Sequence, residues 1–194
     1  MTEDKLTPLG RRLTRMIEFD SNEKVYREVR KDLFGLFIIY FMGSLITLTF
    51  TALLTWAATY DFQQASAFAG VDVNSIGPIL VIVSFFLIVG SVIMTAIGSF
   101  LYRNNVVLIT SEKLAQLLYL SIFNRKISQL SIADVQDVTV TQKGIFAHIF
   151  DYGTLTVETA GEQSNYVFTF TPKPYEVAKS LVGSHEADAA LHGN

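Results

Sequence analysis

The stretch that decides the fold is Leu33–Tyr60, LFGLFIIYFMGSLITLTFTALLTWAATY, in which 28 consecutive residues carry no charged side chain. A second uncharged run, Val73–Tyr102, contains 30 residues. An α-helix rises about 1.5 Å per residue, so about 20 apolar residues cross the roughly 30 Å hydrocarbon core of a bilayer. Both runs exceed this length. The sequence therefore predicts a membrane α-helical hairpin, with transmembrane helices at 33–57 and 77–102 and an extracytoplasmic loop at 58–76.

Two alternatives to a membrane hairpin remain open for these runs. They could form the buried core of a soluble protein, but the rest of this 194-residue chain is too small to surround two helices that are apolar on all sides. The first run could also belong to a cleaved signal peptide, since Ala65-Ser66-Ala67 has the small-x-small form of a cleavage site. Its apolar stretch is much longer than the about 7–15 residues of a signal core, which favours a membrane span.

The distribution of basic residues predicts the orientation of the hairpin. Lys and Arg residues are frequent before the first run and after the second, whereas the loop at 58–76 contains none. In membrane proteins the cytoplasmic loops carry the excess of Lys and Arg. We therefore expect a multi-pass protein of the inner (cytoplasmic) cell membrane, with both termini in the cytoplasm and the loop outside.

Small and hydroxyl-bearing residues recur every four positions in both runs. Small residues along one face let two helix backbones approach closely, which is how membrane helices associate. The candidate helix–helix packing residues are Gly43, Thr47, Thr51 and Thr55 in the first run, and Ser91, Thr95 and Ser99 in the second. The alternative is that these hydroxyls bond only to carbonyl groups of their own helix. Both interpretations stay open at this point.

The number and placement of charged residues exclude several classes of function. The chain has 15 Lys plus Arg against 18 Asp plus Glu, a net charge of −3, so we expect no nucleic-acid partner. It has no cysteine, which excludes disulfides and thiol nucleophiles. Neither apolar run contains an Asp, Glu, Lys, Arg or His residue, whereas ion paths and proton relays normally need one at membrane depth. A transporter or channel built from this hairpin alone is not expected.

The sequence shows no constellation of catalytic residues. His148 and Asp151 lie three positions apart, but no nucleophile stands in a recognisable turn beside them, so a structural histidine is favoured. Asp134 and Asp137 are also three apart, and on a strand this spacing places the two carboxylates on opposite faces. We therefore predict no catalytic residue, no cofactor site and no metal site, and we do not expect an enzyme.

Residues 1–32 form a cytoplasmic leader with a short amphipathic segment. Thr7-Pro8 is typical of a helix N-cap followed by proline at the first helical position. Apolar residues follow at helical spacing among several arginines, from Leu9 to Ile17. This helix could lie on an anionic membrane surface or pack on the protein's own domain, and the two interpretations are equally open.

The pattern changes to strand-like alternation in residues 103–182. Six segments rich in β-branched and aromatic residues are separated by polar or glycine-containing turns. They are Val106–Thr110, Leu114–Tyr119, Lys126–Ile132, Val135–Thr141, Thr154–Thr159 and Tyr166–Thr171. Pro174 then opens a segment with helical spacing, and the tail at 183–194 is predicted to be flexible. We expect six to seven antiparallel strands capped by a C-terminal α-helix.

Five short stretches of the sequence resemble a known family of domains. They are Asn22–Tyr26 (NEKVY), Asn105–Thr110 (NVVLIT), Ile132–Val138 (IADVQDV), Asp151–Val157 (DYGTLTV) and Pro174–Ala178 (PYEVA). Together they resemble bacterial pleckstrin-homology-like (PH-like) domains of the membrane-flanked kind, in which two transmembrane helices precede a cytoplasmic PH-like domain. The resemblance implies a small bent β-barrel or sandwich at the cytoplasmic face of a hairpin anchor. It implies no single chemistry.

One turn departs from the classical members of the wider fold. The classical phosphoinositide-binding domains carry several basic residues in the turn after their first strand. Here that turn is Thr110–Lys113 and includes Glu112, and Lys113 stands where family members often carry arginine. We therefore do not expect inositol-phosphate recognition at the classical site.

Basic residues beside apolar ones suggest a surface that contacts the membrane or a partner. Arg125 and Lys126 follow Ile122-Phe123, and Lys143 precedes an apolar segment that contains Phe146. On a domain tethered beside a bilayer, such a combination suits anionic lipid headgroups. The alternative is that the apolar residues close the end of the barrel and the cations are merely solvated.

The prediction for function is a non-enzymatic, membrane-anchored interaction module. Its PH-like domain would bind a protein or lipid partner at the inner membrane face, and self-association is a further option. The alternative is an accessory or regulatory subunit of a membrane complex, assembled through the transmembrane hairpin.

Overall fold

A computed structural model of the chain describes residues 6–17, 23–61, 76–159 and 166–192, with side chains described up to residue 184. The helices are α1 (Pro8–Thr14), α2 (Leu33–Thr59), α3 (Ile76–Arg103), α4 (Ile145–Ile149) and α5 (Pro174–His192). The strands are β1 (Val25–Arg30), β2 (Val106–Thr110), β3 (Lys113–Tyr119), β4 (Arg125–Ser131), β5 (Val135–Thr141), β6 (Tyr152–Thr159) and β7 (Tyr166–Pro172). Most of the loop expected at 58–76 lies outside the described residues.

The chain forms two compact units. The helical unit comprises Phe37–Phe100, and the β unit comprises Met1–Leu36 together with Leu101–Asn194. The β unit therefore takes residues from both sides of the two apolar runs.

The helical unit consists of the greater part of α2 and α3. Both helices are long and apolar enough to cross a membrane, at 27 and 28 residues. Only 11% and 6% of their most apolar windows are buried. The helices are therefore not the buried core of this protein, which removes one of the two alternatives that the sequence left open.

The β unit contains seven strands in two antiparallel sheets, with strand orders β1-β2-β3-β4 and β5-β6-β7. Helix α5 contributes Val177 and Leu181 to the main core. The other fully buried members include Ile109, Leu114, Ile132, Leu155 and Val157. The expectation of a PH-like β-sandwich with a C-terminal helix is confirmed.

Strand β1 was not predicted. It lies in the leader ahead of the first apolar run, and it pairs with β2 over Val25↔Thr110 to Arg30↔Val106. Val29 joins the main core. Three of the six residues of VYREVR are charged, so the strand signal is weak. The register shift between Val25 and Arg27 places Val25 in the second core cluster and Val29 in the main one.

The leader helix α1 packs on the β unit. The Thr7 side chain caps it by accepting a hydrogen bond from the Gly10 amide at 3.3 Å, which confirms the predicted N-cap. Leu13 is fully buried in a second core cluster, against residues of β2 and β3 that include Leu108 and Leu117. Arg11, Arg12 and Arg15 are exposed. The apolar face of α1 therefore covers the sheet and is not free to lie on a membrane.

Helix α5 ends at His192, ten residues beyond the expected end at Val182. The segment 183–192, interpreted from sequence as a flexible tail, is helical. Glu186, three alanines and Leu191 have high helix propensity, which outweighs the cost of about 1 kcal/mol for Gly183. At the start of α5, Glu176 pairs with Arg27 of β1 at 3.2 Å.

The packing of α1 generates the first prediction. Leu13→Ala removes a fully buried side chain and should lower the free energy of unfolding of the full chain by about 2–5 kcal/mol. Urea denaturation in mild detergent measures this change. Arg12→Ala is the control, because Arg12 is exposed on the same helix and should shift stability by no more than about 0.5 kcal/mol. Equal stability of the two variants would show that α1 does not pack on the sheet.

Candidate functional site

One end of the β unit connects to the two apolar helices, and the other end carries the turn between β2 and β3. Strand β1 ends at Arg30, just ahead of α2, and β2 begins at Val106, just after α3. Because Arg30 pairs with Val106, both connections lie at one end of the sheet, here called the helix-proximal end. The turn at Thr110–Lys113 joins β2 to β3 at the opposite end, about 13 Å away along four residues of strand.

An aromatic cluster occupies the helix-proximal end. Phe34, in the first turn of α2, stacks on Phe146, Phe150 and Tyr152 with ring centroids 4.7–5.5 Å apart. Tyr152 in turn stacks on Phe170 of β7 at 5.3 Å. Offset aromatic pairs each contribute about 0.5–1.5 kcal/mol beyond the area that they bury. The first turn of α2 is therefore fixed against the sheet β5-β6-β7 and against α4.

The last turn of α3 is held at the same place. The Tyr102 hydroxyl donates a hydrogen bond to the Asp32 carbonyl oxygen at 2.6 Å. The Tyr102 ring meets Phe170 edge to face at 6.0 Å. The Asp32 amide donates to the Phe170 carbonyl oxygen at 2.6 Å, so that one short segment ties both helix ends to β7.

Two segments at the helix-proximal end expose large apolar side chains. One is the turn 120–124 between β3 and β4, which lies beside Asn105, because the Asn105 side chain accepts a hydrogen bond from the Tyr119 amide at 2.7 Å. The other is α4 with Phe150. The exposed members, here called the apolar rim, are Leu120, Ile122, Phe123, Ile145, Phe146, Ile149 and Phe150. Their exposure makes the apolar rim the candidate interaction surface of the β unit.

The degree of exposure shows whether the rim residues close the end of the β unit. Phe123 is 97% exposed, Ile145 76% and Phe146 60%. These side chains therefore do not close the end of the β unit, as the alternative interpretation required. Phe146 also stacks on Phe34, so it is both fixed in position and open on its outer side.

The three predicted cations stand beside the rim. Arg125 and Lys126 begin β4, directly after the exposed turn, and Lys143 lies between β5 and α4. All three are exposed. The structure thus places the sequence-derived contact residues Arg125, Lys126, Lys143 and Phe146 on two separate segments of the same end of the β unit.

The turn that corresponds to the classical phosphoinositide site is occupied by internal contacts. The Lys113 ammonium pairs with the buried Glu23 carboxylate at 3.4 Å. The Thr110 hydroxyl accepts a hydrogen bond from the Lys113 amide at 2.8 Å and also bonds to Glu23. Lys113 is therefore engaged by a carboxylate, at the end of the sheet away from the apolar helices.

The stripe of small residues in the helical unit forms a close interface over part of its length. A Cβ atom on Gly43 would overlap the Thr95 hydroxyl, so the two helices are in contact there. The Thr47 and Ser91 hydroxyls lie 2.9 Å apart, and the Ser99 hydroxyl lies 2.9 Å from the Tyr40 hydroxyl. Four of the small positions thus meet across the hairpin, and Ser99 meets a tyrosine.

Thr51 and Thr55 lie outside this interface, contrary to the expectation from sequence. Both are exposed, and their hydroxyls donate to the Thr47 and Ala52 carbonyl oxygens of their own helix. A spacing of four residues turns about 40° further than a full helical turn at each step, so a stripe centred on Gly43 has left the contact face by Thr55.

The titratable residues singled out from sequence do not converge. His148 is exposed on α4, and the Asp151 carboxylate accepts a hydrogen bond from the Gln142 side chain at 3.2 Å. The Asp137 carboxylate accepts from the Val138 amide at 2.7 Å. Among the described residues, no group of three His, Asp or Glu side chains could hold a metal ion.

Two antiparallel sheets closed by a C-terminal helix are the architecture of a PH-like protein. The profile of the bacterial PH domain family matches residues 29–183, which is well over half of the chain. The chain belongs to the bacterial PH domain family. The matched range begins inside β1 and includes both apolar helices, which agrees with a β unit built from both sides of them.

The other comparisons add little. A crystal structure of a DUF1696 family protein with a pleckstrin-homology domain, from Shewanella loihica PV-4, shares 15% sequence identity. The match covers 42% of this chain and 70% of that one, with a TM-score of 0.33, which is too low to support an argument. No curated protein matches the chain significantly.

The helix interface generates the second prediction. Thr95→Leu adds volume where Gly43 meets the opposite helix, and overpacking of this kind costs about 1–3 kcal/mol. The variant should therefore melt at a lower temperature in mild detergent. Thr51→Leu is the matched control, since Thr51 is exposed and should tolerate the larger side chain. If both variants had the melting temperature of the wild type, a close contact at Thr95 would be contradicted.

Proposed function

We propose that this protein is a non-enzymatic, membrane-anchored interaction module, whose PH-like domain binds at the inner face of the cytoplasmic membrane. One observation carries the proposal: the apolar rim and its three cations lie at the end of the β unit from which both apolar helices depart. If those helices cross the bilayer, this end faces the membrane surface. Apolar side chains beside cations suit the boundary between acyl chains and anionic headgroups.

The energetics favour contact of the rim with lipid. Each exposed Lys or Arg near an anionic surface contributes about 1 kcal/mol, and burial of an apolar side chain such as Phe123 adds about 1.5–3 kcal/mol. Tethering through the two helices keeps the rim close to the surface, so that even a weak contact is populated. The opposite end of the β unit, with the turn at Thr110–Lys113, then faces the cytoplasm.

The distribution of Lys and Arg supports the orientation. We propose that the hairpin crosses the membrane twice, with both termini in the cytoplasm and the segment between α2 and α3 outside. Nine-tenths of each helix's most apolar stretch is unburied by the chain itself, as lipid-facing helices require.

Single cysteines in this cysteine-free chain test the orientation. An impermeant thiol reagent on intact cells should label Gln64→Cys and should not label Gln136→Cys until the cells are opened. Gln136 is a suitable cytoplasmic reporter because it is exposed on β5. The reverse labelling pattern would overturn the proposed topology.

The rim generates a separate prediction in reconstituted vesicles. A fluorophore on Phe123→Cys should be quenched by lipids that carry a quencher on the upper acyl chain, in vesicles that contain anionic lipid. Added salt, or Gln at Arg125, Lys126 and Lys143, should reduce the quenching, because exposed charges are screened beyond roughly 8 Å at physiological ionic strength.

The control carries the same fluorophore on Gln136→Cys. Gln136 lies near the start of β5, whereas α4 follows the other end of that strand, so its fluorescence should not respond to the quencher. Absence of quenching at Phe123 would show that the rim faces away from the bilayer and would leave it as a surface for a protein partner.

A further inference from the structure

A cavity of about 610 Å³ lies at the helix-proximal end of the β unit, next to the last residues of β1. Its walls include three cationic side chains, those of Arg30, Lys31 and Arg103. Leu33 and Leu36 of α2 form an apolar side of the same cavity. Sequence reasoning did not single out these three cations as a group, because Arg103 is separated from Lys31 by more than 70 positions.

Within the described residues, the three cations have no acidic partner. No carboxylate oxygen of the described residues lies within 4.0 Å of Arg30, Lys31 or Arg103. The Arg30 guanidinium donates only a long hydrogen bond, of 3.4 Å, to the Arg103 carbonyl oxygen. Their positive charge is thus available to a ligand.

Two carboxylates also line the cavity, but internal hydrogen bonds occupy them. The Glu28 carboxylate accepts from both the amide and the hydroxyl of Thr7. The Asp32 carboxylate accepts from the Phe34 amide at 2.8 Å, at the start of α2. Three cations against two such carboxylates leave the cavity with a net positive charge.

Lys31 is held in place and partly removed from water. Its ammonium lies over the Tyr102 ring, 5.2 Å from the centroid, and the Tyr102 hydroxyl is itself fixed on the Asp32 carbonyl oxygen. Desolvation by burial lowers the pKa of Lys31 below its ordinary value. An anion bound beside this ammonium would offset the cost of its burial.

A second, largely apolar cavity of about 300 Å³ shares Arg30 and Lys31 with the first. Its other walls include Val106, Leu117 and Phe168. The two cavities together therefore present a cationic site between apolar surfaces, which is the arrangement that an amphiphile with an anionic head requires. Basic pockets beside membrane helices on the cytoplasmic side are known to hold anionic lipid headgroups.

We propose that Arg30, Lys31 and Arg103 form a binding site for the phosphate headgroup of one anionic phospholipid, with its acyl chains along Leu33 and Leu36. The site is distinct from the rim and from the classical turn. It rests on the proposed function in one respect, namely that α2 and α3 bring this end of the β unit to the bilayer.

Native mass spectrometry of the full chain in mild detergent tests the site, with phosphatidylglycerol and phosphatidylcholine as probes. The wild type should retain one phosphatidylglycerol with at least about tenfold preference over phosphatidylcholine, since each cation contributes about a fivefold gain. Arg30→Gln/Lys31→Gln/Arg103→Gln should lose this preference. The matched control is Arg11→Gln/Arg12→Gln/Arg15→Gln, which removes three exposed cations at α1 and should keep it.

Each other outcome overturns the proposal. Suppose that the preference for phosphatidylglycerol survives in the Arg30/Lys31/Arg103 variant, or disappears equally in that variant and in the control variant. Either result shows that these three cations form no discrete site. Competition by glycerol 3-phosphate at the same concentration as the lipid would assign the site to a free phosphate compound. Should the triple variant fail to fold, Arg30→Gln and Arg103→Gln singly decide the matter, because both side chains are exposed and each should weaken binding about fivefold.

Failure of the proposed function would look different. Loss of rim quenching in vesicles, with lipid preference intact in the mass spectrum, contradicts the rim contact and leaves the headgroup site standing. Loss of lipid preference with rim quenching intact contradicts the headgroup site alone.

Discussion

The antiparallel pairing of β1 with β2 is the interaction on which the rest of the structure depends. About 75 residues separate Arg30 from Val106, yet the two are directly paired, so the chain leaves and returns to the β unit at one point. Closing so long a loop carries an entropic cost that grows only slowly with its length, and the β1–β2 ladder together with the burial of Val29 offsets it. Without this pairing the first sheet would lose its outer strand and α1 would lose part of the surface that it covers.

The same pairing brings aromatic, apolar and cationic side chains together at the helix-proximal end of the β unit. The aromatic stack from Phe34 to Phe170 fixes the first turn of α2, and the Tyr102 hydroxyl bond fixes the last turn of α3. Around them lie exposed apolar side chains and cations for which the described part of the chain supplies no carboxylate within 4.0 Å. Apolar and cationic side chains at one end of the sandwich are the features on which the proposed contact with an anionic membrane surface rests.

Internal contacts also occupy the turn that corresponds to the classical PH site. Lys113 is paired with the buried Glu23, and Thr110 satisfies the backbone of its own turn. A cation paired with a carboxylate contributes to the stability of the turn, and its positive charge is less available to bind a phosphate. At the opposite end of the sandwich, Arg30, Lys31 and Arg103 line one cavity.

The sequence by itself determined the elements whose signal is local. Uninterrupted apolar runs specify α2 and α3, period-two alternation specifies six of the seven strands, and Thr7-Pro8 specifies the start of α1. The tertiary structure alone decided the rest, for physical reasons that are visible at particular residues. Strand β1 lacks a local signal because three of its six residues are charged, and Thr51 lies off the helix interface because a four-residue spacing drifts around a helix of 3.6 residues per turn. Arg30, Lys31 and Arg103 meet only because strand pairing brings distant segments together, and no local pattern records which distant strand a segment will pair with.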